Sequence, residues 1–142
     1  MKTSALKGGM NRRGFSLVEL VVVVLVMGII AAVAGPKMFN TANDARLNGT
    51  KQSLTVVRDA IELYKAQNGA YPSSANSTAF HTDMSAFIRG QFPNVEVGAN
   101  KGANDVRIHS GSPTPSGTEA WAYDTSDGSF IINDTTSSYN TL

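Results

Sequence analysis

The chain has 142 residues, with twelve lysines and arginines against eleven acids and no cysteine. That length holds one modest domain. A formal charge of +1, with Arg89, Lys101 and Arg107 dispersed, excludes the basic patch that nucleic-acid binding requires, and without cysteine no disulfide can close.

Taken in order, residues 1–14 carry Lys2, Lys7, Arg12 and Arg13 and no acid. Without these four cations the side chains count eight basic against eleven acidic, a formal −3. From Phe15 to Ala34 the residues are almost all apolar or small, and Glu19 is the single charge. At helical rise this stretch spans about 30 Å, the thickness of a bilayer's hydrocarbon core. Its many valines and isoleucines favour strand in water, but in lipid only a helix pairs all its own backbone groups. The four cations place the preceding end in the cytoplasm. Glu19 is the anomaly: a carboxylate inside a membrane helix costs roughly 2.5–3.5 kcal/mol and calls for a partner.

Arg12-Arg13-Gly14-Phe15-Ser16-Leu17-Val18-Glu19, followed by the apolar run, resembles the processing site of type IV pilins and type II secretion pseudopilins. The resemblance implies cleavage by a prepilin peptidase between Gly14 and Phe15 and methylation of the new N-terminus. It makes Glu19 the family's glutamate, fifth in the mature chain. Cleavage would create at Phe15 the cationic amine that a buried Glu19 lacks. The implied fold is α+β and type IV pilin-like: a long N-terminal helix, membrane-spanning in its first half, packed on a small antiparallel sheet of about three strands. The lack of cysteine departs from many pilus-forming pilins and favours the pseudopilins.

Beyond the membrane-length run, Gly28 and Gly35-Pro36 are weak points in the helix, and Pro36 is expected to kink it. Leu47, Leu54, Val57, Ile61 and Tyr64, joined by Val56, Ala60 and Leu63, form an apolar stripe. Asn68-Gly69 supplies a stop. A helix from Phe15 to Asn68 would be about 80 Å long. The expected organisation is a cleaved leader at 1–14, a transmembrane or filament-core helix at 15–35, its amphipathic continuation at 36–68, and a β head at 69–142.

In the head, 72–82 reads as a Ser/Asn/Thr loop, 83–91 as a short helix burying Phe87 and Ile88, and 94–98 as a brief strand. Alternation predicts three further strands around 105–109, 119–123 and 129–133, with an Asp-Gly hairpin turn between the last two. Val106, Ile108, Trp121, Tyr123, Phe130 and Ile132 are the expected core, closed by the helix stripe because so small a head makes only a modest core alone. Trp-x-Tyr-Asp…Gly…Ile-Ile-Asn resembles the final hairpin of pseudopilin-like proteins.

Catalytic signatures are lacking. His81 and His109 have no HExxH or cysteine companions, and there is no Gly-x-Ser-x-Gly elbow. The resemblance implies calcium in a C-terminal loop, for which Asp124, Asp127 and Asp134 are the candidate ligands; Asp-x-x-Asp-Gly serves a plain hairpin equally well. The expectation is a non-enzymatic subunit of a type II secretion pseudopilus. Its implied partners are the prepilin peptidase, copies of itself, other pseudopilins, an inner-membrane assembly platform, and membrane lipid before assembly. Glu19, Phe15, Gly28 and Pro36 are its assembly residues, and its head lies in the periplasm. An extracellular type IV pilus subunit shares every N-terminal residue, and a monomeric anchored binding module is the alternative from another class.

Overall fold

A single helix, α1 (Leu17–Asn68), runs through the first half of the chain in this computed structural model, which describes residues 14–112 and 114–142. Lys2, Lys7, Arg12 and Arg13 lie outside the described residues. The helix ends where expected. Gly69, at φ 77°, donates its N–H back to the Lys65 carbonyl, and the Asn68 amide donates to that of Tyr64. Pro36 lies inside it without ending it.

The chain divides into two compact units, Met1–Phe39 and Asn40–Leu142. In the first, the apolar side chains from Phe15 to Phe39 are exposed almost throughout. In the second, Thr50, Leu54, Val57, Ala60 and Ile61 of α1 are buried. Val56 and Leu63, expected in the same stripe, are 45% and 49% exposed. At 3.6 residues per turn they fall roughly 130–150° around the helix from the centre of the face formed by Thr50, Leu54, Val57 and Ile61.

The short helix of the head comes earlier than the pattern predicts. α2 (Ser77–Met84) starts at Asn76, whose side chain accepts the Ala79 N–H as an N-cap, a strong start signal. Phe80 and Met84 are then buried one turn apart. The expected helix over 83–91 does not form. Gly90 at φ 91° lies outside helical space, and 85–92 fold as turns that still bury Ile88 and Phe92. The segment 94–98 joins no sheet, because Val95 bonds Gly102 and Ala103 to close its own loop. Glu96 meanwhile gives its N–H to the buried Thr50 hydroxyl.

Strands β1 (Val106–His109), β2 (Trp121–Asp124) and β3 (Phe130–Ile132) lie in that order in one sheet. β2 and β3 pair antiparallel as expected, with Tyr123 opposite Phe130. β1 and β2 pair parallel, Val106 beside Trp121 and Ile108 beside Tyr123. The sheet is therefore mixed rather than antiparallel. The cause is the connection between β1 and β2. It is no hairpin but a Ser/Pro/Gly loop long enough to return to the start of β1, the crossover that parallel strands need. It is pinned as it returns: Gly111 N–H to the Asp124 carboxylate, Arg107 to the Thr114 carbonyl, and Ser116 N–H to the buried Asn133 amide oxygen.

The core gathers Val57 and Ile61 of α1, Phe80 of α2, and Trp121, Tyr123, Phe130 and Ile132 of the sheet. Phe80 meets Tyr123 at 4.5 Å between ring centres, and Trp121 stacks on Phe130 at 5.2 Å. The polar ends of the two large rings are satisfied, as burial demands: Trp121 Nε1 donates to the Pro93 carbonyl and the Tyr123 hydroxyl to that of Pro72. Burial raises the Tyr123 pKa. A short C-terminal helix, α3 (Ser137–Asn140), packs near β3 and carried no periodic signal.

Candidate processing and assembly site

The expected cleavage point is accessible. Gly14 has open space where a side chain would stand, and Phe15 is 78% exposed. A peptidase needs an extended, uncrowded chain, and glycine gives it both freedom and room. Helix α1 begins two residues beyond Phe15, at Leu17.

Glu19 faces this start. Its Oε2 accepts the backbone N–H of Ser16 at 2.9 Å. Ser16-Leu17-Val18-Glu19 thus forms the glutamate half of a capping box, in which the third helical residue reaches back to the N-cap N–H. The Ser-x-x-Glu spacing carries that signal in the sequence. The structure gives it a partner one turn away in its own chain, beside the residue whose amine cleavage would free. A carboxylate there also meets the positive end of the helix dipole.

Gly28 and Gly35 sit in α1 with no atom near the place a β-carbon would take, and Pro36 follows with helical geometry maintained. They are gaps in an otherwise bulky apolar surface. By length and composition this helix is long and apolar enough to cross a membrane.

The three carboxylates considered for calcium are not brought together. Asp124 accepts from the Ser126 N–H and hydroxyl and from the Gly111 N–H. Asp127 accepts from Ser129 N–H, and Asp134 from Ala99 and Thr136 N–H groups. Each accepts a backbone N–H two residues on, and Asp124 and Asp134 also tie in Gly111 and Ala99 from other loops. Among the described residues no group of three or more histidine, cysteine or carboxylate side chains is placed to hold a metal. The donor set does not fit a calcium cage, which takes six to eight oxygens around one point.

The Ser126 hydroxyl and N–H hold the Asp124 pKa below its ordinary value, with Gly111 and His109 adding to them. Burial opposes ionisation at Asp134, but hydrogen bonds from Thr136 and Ala99 outweigh it and keep that pKa low as well. His81 uses Nε2 on the Asn104 carbonyl, and His109 keeps a buried Nε2 without a partner among the described residues.

Residues 9–35 match the family model described as the prokaryotic N-terminal methylation motif. The chain is 37% identical over 68 residues to type II secretion system core protein G of Pseudomonas aeruginosa, covering 46% of this chain and 48% of that protein. It is 30% identical over 64 residues to core protein G of Klebsiella michiganensis, covering 45% of each. With the type IV major pilin protein PilA of Myxococcus xanthus it shares 29% identity over 105 residues, covering 74% of this chain and 46% of that protein. The matched region thus spans about half the length of these curated relatives. No solved structure matches significantly. This chain carries the prokaryotic N-terminal methylation motif and is homologous, over part of its length, to type II secretion system core protein G and to a type IV major pilin.

Proposed function

We propose that the protein is a structural, non-catalytic subunit of a type II secretion pseudopilus. It is cut by a prepilin peptidase between Gly14 and Phe15 and held in the inner membrane by its apolar helix, with its head in the periplasm. It then assembles with copies of itself and with other pseudopilins on an inner-membrane platform into a short filament that helps move proteins through an outer-membrane channel. The observation that carries this reading is the register at the start of α1. An accessible Gly14-Phe15 bond stands four residues before Glu19, at the head of an exposed apolar helix.

Freed at Phe15, the amine supplies the cation that makes a carboxylate in an apolar filament core tolerable, since a buried charge is retained only when paired. The homology to core protein G supports secretion as the setting. A second reading, a subunit of a type IV pilus, is favoured by the longer match to the Myxococcus xanthus pilin. Intact-mass measurement on protein from the native host tests both readings at their root: residues 1–14 should be missing and one methyl added. An uncut chain would end them. Loss of protein secretion without loss of surface fibres, on deletion, separates the pseudopilus from the pilus.

A further inference from the structure

Within residues 40–142, most charged side chains are committed. Asp83 accepts from Ser74, Asp105 from Ala120, Arg58 donates to the carbonyls of Phe130 and Leu142, and Arg107 to that of Thr114. Among the described residues, Asp44, Arg46, Glu96 and Lys101 have side chains with no such bond, and all four line one cleft of about 310 Å³ between α1 and the 96–101 loop. The remaining uncommitted charges, Lys51, Asp59 and Arg89, lie outside it. Leu47 and Tyr139, both half-buried against the core, give the cleft an apolar side.

Two cations and two carboxylates around one cleft, unspent on each other, suit a ligand that itself carries both charges. A purely anionic ligand would meet the two carboxylates, and a purely cationic one the arginine and lysine. We propose that the cleft binds a zwitterionic phospholipid headgroup with a primary amine, its phosphate on Arg46 and Lys101 and its ammonium on Asp44 and Glu96. This rests on the reading of the 15–34 stretch as a membrane anchor. Asn43, at one edge of the cleft, follows Ala34 by nine residues, a reach of at most about 30 Å even fully extended. A covalent tether of that length to the anchor gives a weak site a high effective concentration of lipid. Charge-assisted hydrogen bonds supply the selectivity. A primary ammonium donates three of them, whereas a quaternary choline donates none.

The test uses full-length protein in neutral detergent micelles, titrated with short-chain phosphatidylethanolamine, phosphatidylcholine and phosphatidylglycerol. Amide NMR shifts of residues 43–47 and 96–101 report occupancy, and the thermal melt of each variant reports folding. The expected result is phosphatidylethanolamine binding about tenfold tighter than phosphatidylcholine, the scale of one hydrogen bond to a charged group. Asp44→Asn with Glu96→Gln should erase that preference, and Arg46→Gln with Lys101→Gln should lose both lipids. Equal binding of the three lipids, strongest binding of phosphatidylglycerol, or indifference of folded variants to the substitutions overturns the site. Those outcomes leave the anchor standing if the protein still partitions with membranes. Protein found in the soluble fraction of cells would remove the anchor, and the site with it.

Discussion

The ring of Tyr71 closes on Gly128, leaving no room for a β-carbon there. Lys65 Nζ sits 4.0 Å above that ring, and the Tyr71 hydroxyl donates to Glu62. The residue that leads the chain out of α1 is thereby locked to the turn between β2 and β3, and Gly128 holds φ 80° in the same turn.

Gly128→Ala should therefore destabilise the head by about 2–3 kcal/mol, combining left-handed backbone strain with the loss of Tyr71 packing. Gly102→Ala, at φ 86° but in open space, should cost only the strain, about 1 kcal/mol. Denaturant melts of the two full-length variants in detergent decide it. Equal losses would mean that Tyr71 yields at no cost.

Stability should fall in acid through Asp124 and Asp134. Both folded pKa values lie below the ordinary 3.8, so the native state binds these protons less readily than the unfolded chain. The stabilisation is complete above the unfolded value and is lost as pH drops through the folded ones. Asp124→Asn should lower the melting temperature at pH 7 and flatten its decline below pH about 4. An unchanged acid limb would assign the decline elsewhere.

Glu19→Gln should separate assembly from folding. Its amide oxygen can still accept the Ser16 N–H, but it carries no charge for a neighbour's Phe15 amine. The variant should be inserted, cleaved and folded, with a head melting temperature equal to wild type, and should yield no filaments. Normal filament yield would leave Glu19 with its capping role alone.

Gly28 and Pro36 should loosen α1 on assembly. Glycine costs about 1 kcal/mol and proline about 3 kcal/mol relative to alanine inside a helix. The bilayer enforces the helix because the backbone finds no other partners there, a constraint that neighbouring subunits in a filament relieve. A filament map should show broken helical hydrogen bonding within 28–36, and Gly28→Ala with Pro36→Ala should reduce assembly. Continuous helix through that segment, or full assembly of the double variant, refutes the idea.

Arg58 should act as the latch of the C-terminal segment. Its Nε donates to the Phe130 carbonyl at the outer edge of β3 and its Nη2 to that of Leu142, while burial lowers its pKa. Arg58→Met keeps the packed stem and removes both bonds, at about 1.5–3 kcal/mol each for hydrogen bonds to a charged group. Hydrogen exchange should then rise in 137–142 well before the core responds; uniform protection would show that Tyr139 packing alone holds the segment.

What the sequence determined by itself was local or covalent. The helix through the membrane-length run, its stop at Asn68-Gly69 and the alternating triplets around Val106, Trp121 and Phe130 all express short-range pattern, and each is found where the pattern puts it. The strand direction of β1 is different in kind. Alternation reads the same up or down a strand, so only the return path of the 110–120 loop, pinned by Asp124, Arg107 and Asn133, made its pairing with β2 parallel. The place of α2 likewise depended on the core accepting Phe80 and Met84 rather than on the apolar pair Phe87-Ile88. The dispersal of Asp124, Asp127 and Asp134 followed from backbone N–H groups that no sequence spacing displays. Composition left these choices open, and the nearest unsatisfied donor or acceptor in three dimensions closed them.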